Sequence, residues 1–124
     1  MHAPATEHSM GLARNHGTAA EDLAEAYLRL LGWEIEARNQ RLAGVELDLV
    51  AVDSRTTVLI EVKYRGRSDY GGAIAAIDAR KRDRLRRAAL AASVHRANVR
   101  IDVISIEPSA DGLVLKHHRN AVTD

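Results

Sequence analysis

Three acids and a lysine stand out in residues 45–63, VELDLVAVDSRTTVLIEVK. Glu46 and Asp48 interrupt one apolar run, Glu61 interrupts the next, and Lys63 follows it by two. A charge inside a strand-like run is costly to bury unless something pairs with it, so the spacing carries chemical meaning. If residues 53–56 connect a hairpin, Val52 pairs with Thr57, Val50 with Leu59, Asp48 with Glu61 and Glu46 with Lys63. Side chains alternate along a strand. Glu46, Asp48, Glu61 and Lys63 then share one face, and Leu47, Leu49, Ile60 and Val62 form the other, the core face.

Directly opposed residues place their Cβ atoms about 4.5–5.5 Å apart. That is close enough for Asp48 and Glu61 to hold one divalent cation through oxygen. Without a cation the two carboxylates repel, and one titrates above its usual range. Oxygen-only ligation favours Mg²⁺ or Mn²⁺ over Zn²⁺. A second reading stays open at this point: a solvated lattice of Glu46–Lys63 and Asp48–Lys63 pairs. The opposed like charges argue against it, since a stabilising lattice would put a cation opposite Asp48.

The elements that must position these residues are legible from periodicity. GTAAEDLAEAYLRLLG reads as a helix with Ala20, Ala24, Tyr27, Leu28 and Leu31 facing the core and Gly32 as its stop. Thr18 is a candidate N-cap, with Glu21 at capping-box spacing. WEIEARN, AGVELDLVAV and TVLIEVK read as three strands, and YRGRSDYGG as a glycine-rich loop. DARKRDRLRRAALAASVHRA is a second helix capped by Asp78. VRIDVISIE is a fourth strand ending before Pro108, and GLVLKHHR a short fifth at an edge. That order predicts an α/β (α+β) fold, a mixed sheet flanked by helices.

The chain has 124 residues and 46% hydrophobic content, which fits a flexible tail over 1–10 and one domain over 11–124. Cysteine is absent, which excludes disulfides and cysteine-based sites. No apolar run approaches the roughly 18–20 residues of a membrane span, and MHAPATEHSM lacks the apolar stretch of a secretory signal. A cytoplasmic protein with no membrane partner is the expectation. His117 and His118 are neighbours on a strand and point to opposite faces, so they read as a polar edge rather than a metal site.

The formal net charge is only +1, but it is unevenly spread: residues 1–62 carry net −5 and residues 63–100 net +8. A basic segment beside paired carboxylates implies an anionic partner, with a solvated basic helix face as the alternative. Arg80, Arg84 and Arg87 share one face of the second helix and are placed to straddle phosphates. Lys81 aligns instead with Leu85, Ala88 and Ala92 on the core-facing stripe, where it either snorkels to water or reaches a phosphate at the sheet. Arg65 and Arg67 are candidates to close over a substrate, and Tyr64 and Tyr70 to stack on bases. Nothing resembles a base-reading motif, so binding directed by backbone or shape is expected.

Asp48 followed by Glu61-Val62-Lys63 resembles the PD-(D/E)xK nuclease signature. GTAAEDLAEAYLRLLGWEIEARNQR, GVELDLVAVD, VLIEVKYR, YGGAIAAIDARKRDRLRRAA and RIDVISI, in that order, resemble the YraN-like proteins over residues 11–106. That family is similar in fold to Holliday-junction resolvases and restriction enzymes, which share an αβββαβ core. The resemblance implies a Mg²⁺- or Mn²⁺-dependent endonuclease acting on DNA, branched or damaged, or else a non-catalytic nucleic-acid-binding module of the same fold. It implies that Asp48 and Glu61 are metal ligands, with the Val62 carbonyl as a third, and that Lys63 orients the attacking water. Glu21 matches the acid that resolvases contribute from their first helix, which competes with its reading as a cap. Glu46 matches a position beside Lys63 and would support it. A homodimer is implied by relatives that must cut two strands, although no distinct dimer face is legible here. Two residues depart from the pattern: Leu47 stands where the superfamily name has proline, and Val45 where the family usually has a second glycine.

Overall fold

The computed structural model describes residues 8–65 and 79–123. In chain order these form α1 (His8–Leu30), β1 (Glu34–Leu42), β2 (Val45–Asp53), β3 (Thr56–Tyr64), α2 (Ala79–Ala92), β4 (Asn98–Ser109) and β5 (Gly112–His118). The strands build one sheet in the order β1-β2-β3-β4-β5. β3 and β4 run parallel, joined through α2, and the other neighbours are antiparallel. The α+β class and mixed sheet expected from the element order are therefore what the chain adopts.

Each helix covers one face of the sheet. Ala20, Ala24 and Leu28 recur every four residues on α1 and pack with Trp33, Leu49, Ala51, Val58, Ile60, Ile104 and Ile106. Leu85 and Ala88 of α2 pack with Val45, Leu47, Val50, Leu59, Ile101 and Val122. A strand buried on both sides needs a near-continuous apolar run, and β3 has one in Val58-Leu59-Ile60. Against that background a buried Glu61 is conspicuous. Among the described residues no helix is long and apolar enough to cross a membrane.

Several expected boundaries move. α1 begins at His8, so residues 8–10 belong to the helix rather than to a tail, and Thr18 sits in its interior. An N-cap must lie at the helix start, so the capping-box reading of Thr18 and Glu21 fails. Gly32 does end the helix: it is left-handed (φ 88°), and the Trp33 N–H reaches the Leu28 carbonyl at 3.1 Å. The β2–β3 turn holds only residues 54 and 55, with Ser54 left-handed (φ 59°), because each strand extends one residue further than expected. α2 ends at Ala92, and β4 continues through Pro108. Proline is tolerated there because β3 pairing stops at Ile106, leaving that flank of β4 without a strand partner among the described residues. Asp78 lies outside the described residues.

Candidate active site

The hairpin register is the one the spacing predicts, with Val52 opposite Thr57 and Val50 opposite Leu59. The ladder then stops at Leu49–Ile60. One residue on, the Asp48 carboxylate takes over the role of the strand backbone: its Oδ2 accepts the Val62 N–H at 2.8 Å. β2 and β3 thus part around a side chain wedged between them, while Glu61 continues to pair with Val103 of β4.

The expectation that Leu47, Leu49, Ile60 and Val62 share one face is corrected. Leu47 packs on the α2 side, whereas Leu49, Ile60 and Val62 pack on the α1 side. The switch falls beside Asp48, across from Asn39, whose φ of 52° breaks regular alternation in β1. Asparagine tolerates that left-handed region better than most residues.

Glu61 is only 4% exposed. Its Oε2 lies 3.5 Å from Lys63 Nζ and its Oε1 3.4 Å from Lys81 Nζ. Oε1 is fully buried yet accepts no hydrogen bond. Burial, and next the charge of Glu61, push the Asp48 carboxyl up to about 7. The Val62 N–H pulls the other way, Glu21 adds a further push, and Lys81 pulls back. Two acids and two ammonium groups therefore meet where β2 and β3 separate.

The other candidate residues are placed as follows. Glu21 is close enough to act on Asp48 electrostatically, but its Oε1 is held by Arg38 Nη2 at 3.2 Å. Arg38 also binds Asp22 at 2.7 Å and Glu25 at 3.3 Å. Among the described residues no group of three or more His, Cys, Asp or Glu side chains is gathered as a metal site. Glu46 is exposed and lines one recess together with Asp48, Lys81 and Arg84, while Lys63 pairs with Glu61 instead of Glu46. Lys81 is thus the core-stripe lysine that turns toward the sheet. Arg80 and Arg87 are exposed on α2. Arg65, just past the end of β3, is 7% exposed, and its N–H is tied to the Ile106 carbonyl at 2.9 Å. The end of β3 is fastened to β4 at that point. Arg67 and Tyr70 lie outside the described residues. Larger clefts of about 420 and 550 Å³ open elsewhere, around Val99, Arg100 and Asn120, and are not lined by Asp48 or Glu61.

Sequence reasoning missed a buried polar network on the α1 side. Asp102 is 0% exposed and accepts hydrogen bonds from Arg100 Nε at 3.0 Å, the Asn120 N–H at 2.9 Å and His117 Nε2 at 2.8 Å. Its carboxylate can only accept, so His117 donates through Nε2, and the other ring nitrogen, Nδ1, is hydrogen-bonded to the Tyr27 hydroxyl at 2.7 Å. Trp33 meets the His117 ring edge-on, with Arg100 and Arg119 each 5.2 Å from its centroid. His117 is therefore buried structure, not a polar edge. The legible signal was the pair Arg100-x-Asp102, same-face opposite charges inside an apolar run.

The model of Uncharacterised protein family UPF0102 matches residues 20–106. A UPF0102 protein of Solibacter usitatus is 47% identical over 98 residues, covering 74% of this chain and 74% of its own. One from Halorhodospira halophila is 43% identical over 95 residues, covering 76% and 78% respectively. Among solved structures, that of Pyrococcus furiosus SfsA in complex with Ca²⁺ is 18% identical, with a TM-score of 0.37 over 90% of this chain and 65% of that one. That likeness is too distant to carry an argument about the site.

Proposed function

Because this chain belongs to the uncharacterised protein family UPF0102, whose name assigns no activity, we propose its function from the chemistry of the site: a Mg²⁺- or Mn²⁺-dependent endonuclease that hydrolyses phosphodiester bonds in DNA. One observation carries this reading. Asp48 and Glu61 come together where two strands part, one with a carboxyl raised to about 7 and the other with a buried oxygen that accepts no hydrogen bond. Two such carboxylates suit Mg²⁺, which takes one or two protein carboxylates and fills its remaining positions with water and phosphate oxygens. A cation held between them would relieve the repulsion that raises Asp48. When bound, Mg²⁺ supplies Lewis acidity toward a phosphate oxygen and makes water acidic enough to attack at neutral pH.

The remaining roles belong to the chain. Asp48 and Glu61 hold the cation. The Val62 N–H keeps the Asp48 carboxylate turned into the gap between β2 and β3. Lys63, 3.5 Å from Glu61, stands beside the cation position, where its ammonium orients the attacking water and offsets charge building on the phosphate. Lys81 and Arg84, in the first two turns of α2, hold the phosphate backbone. Glu21 is a reserve ligand, with its Oε1 engaged by Arg38.

Purified protein is expected to nick supercoiled, flapped or four-way DNA in Mg²⁺ or Mn²⁺ and not in EDTA. Lys63→Ala should lose cutting by about a hundredfold or more, the usual worth of a positioned charge, while keeping most DNA binding. Cutting that persists in Lys63→Ala removes Lys63 from the mechanism. Salt-sensitive DNA binding by wild type without any cutting would favour a non-catalytic binding module, a reading to which the Arg38 hold on Glu21 already lends some weight.

A further inference from the structure

The recess beside Asp48 is lined by one cation, Arg41, that neither sequence motif nor family signature marks. It measures about 260 Å³ and is lined by Arg41, Lys81 and Arg84 as well as by Glu46 and Asp48. The cations reach it from two directions, Arg41 from the end of β1 and Lys81 and Arg84 from the start of α2. Arg41 stands at a tight two-residue turn in which Ala43 (φ 54°) and Gly44 (φ 78°) are both left-handed. That is the backbone of a close hairpin turn, and an alanine adopts it at some cost. Arg41 Nη2 donates to the Gly44 carbonyl at 3.3 Å, which ties the guanidinium to this turn and uses one of its five N–H donors. Among the described residues none that lines the recess is aromatic, so they offer no platform for a base. Its chemistry suits a charged, hydrogen-bond-accepting group of the backbone.

We propose that this recess is a second phosphate subsite, taking the backbone phosphate adjacent to the one at Asp48 and Glu61, with Arg41 as its specific contact. The inference rests on the nuclease reading and deepens it. The charge balance adds a condition. Among the described residues three cations and two acids line the recess, and Lys81 also pairs with Glu61, so the recess attracts an anion weakly until a divalent cation at Asp48 offsets the carboxylate. Mg²⁺ therefore tightens DNA in this subsite, and by linkage DNA tightens Mg²⁺ by the same factor. The subsite reads phosphate spacing and no base, which gives sequence-independent contact.

The test is equilibrium binding of a short labelled duplex in Mg²⁺ over a KCl series, read before strand cutting begins. Wild type is compared with Arg41→Ala, Arg41→Lys and Arg55→Ala. Arg55 is exposed on the β2–β3 turn, at the other end of β2 from Arg41. Arg41→Ala should bind about five- to twentyfold more weakly and lower the slope of log affinity against log salt by about one, the signature of one lost phosphate contact. Arg41→Lys should keep the slope and lose part of the affinity, since lysine lacks the bidentate fork. Arg55→Ala should change neither, and calorimetric Mg²⁺ binding should be intact in Arg41→Ala. The subsite is overturned if Arg41→Ala behaves like Arg55→Ala while wild type binds DNA in Mg²⁺. If Arg41→Ala does not fold, Arg41→Gln and Arg41→Lys decide, and unchanged affinity and slope in Arg41→Gln overturn it. If wild type binds neither Mg²⁺ nor DNA, the nuclease reading fails and the subsite fails with it.

Discussion

Asp48→Asn is expected to abolish Mg²⁺ binding and strand cutting, yet to make the metal-free protein more heat-stable at pH 8. Loss of function follows because one of two cation-holding carboxylates becomes an amide, which should cost at least about a thousandfold in cutting. The gain in stability follows from the raised carboxyl. Asp48 titrates at about 7 in the fold against 3.8 for the ordinary group, because it is buried and faces Glu61. Between those two values the folded state binds more protons than the unfolded one, so stability falls as pH rises. The cost is absent below pH 3.8 and complete above about 7. Asparagine carries no charge, and its carbonyl can still accept the Val62 N–H. The stabilisation at pH 8 should be on the order of 1–3 kcal/mol after relaxation is allowed for, roughly 5 °C in Tm, and should vanish near pH 4. Adding Mg²⁺ at pH 8 should raise the wild-type Tm and leave the variant unmoved. An Asp48→Asn protein less stable than wild type at pH 8 would mean that the carboxylate is a structural anchor rather than a stored repulsion.

Asp102→Ala should do the opposite and weaken the fold while touching no residue of the candidate site. Removing this carboxylate strands Arg100, His117 and the Asn120 N–H in the interior. Losing one partner of a buried charge network typically costs about 3–5 kcal/mol, a large share of the roughly 5–15 kcal/mol that holds a domain together. Burial alone would push Asp102 up, but hydrogen bonds from His117, Arg100 and Asn120 overcome it and hold the carboxyl below its usual range. A depressed acid contributes stability that is fully present above pH 3.8 and is lost as pH falls through its folded value. Acid unfolding of wild type should therefore steepen below pH 4. Asp102→Asn, which keeps the shape but not the charge, should be destabilised at pH 7 by less than the alanine variant and show a flatter acid limb. Chemical denaturation at pH 7 and pH 3.5 reads both effects. A loss of under 1 kcal/mol in Asp102→Ala would show that water replaces the carboxylate.

The contrast between these two acids marks what was legible in the sequence. The hairpin register was, because two apolar runs of period two around a polar turn admit few pairings. From it followed the meeting of Asp48 and Glu61, while helical periodicity aligned Lys81 with Leu85, Ala88 and Ala92. What was not legible depends on departures from regular geometry. Nothing in the letters around Asp48 announces that the ladder stops there and that Val62 donates to a side chain. The left-handed Asn39 hides the change of face between Leu47 and Leu49, since strict alternation assigns both to one side. Thr18 and Glu21 fit a capping box by spacing, but a helix that starts earlier leaves no free N–H groups there to cap. Arg41 was invisible as a site residue because its role comes from the three-dimensional approach of the β1–β2 turn to α2.

The single parallel seam between β3 and β4 bears on the order in which the candidate site assembles. β1, β2 and β3 form a meander of sequence neighbours, and β4 and β5 a local hairpin. Such pairings form fast, whereas a parallel pairing must first close a long loop. Asp48 and Glu61 are thus brought side by side in the early meander, and their repulsion opposes its closure. The ammonium of Lys81 that relieves them arrives with α2, on the segment that also closes the seam. The joining of both acids to the Lys81 ammonium is consequently a late product of folding.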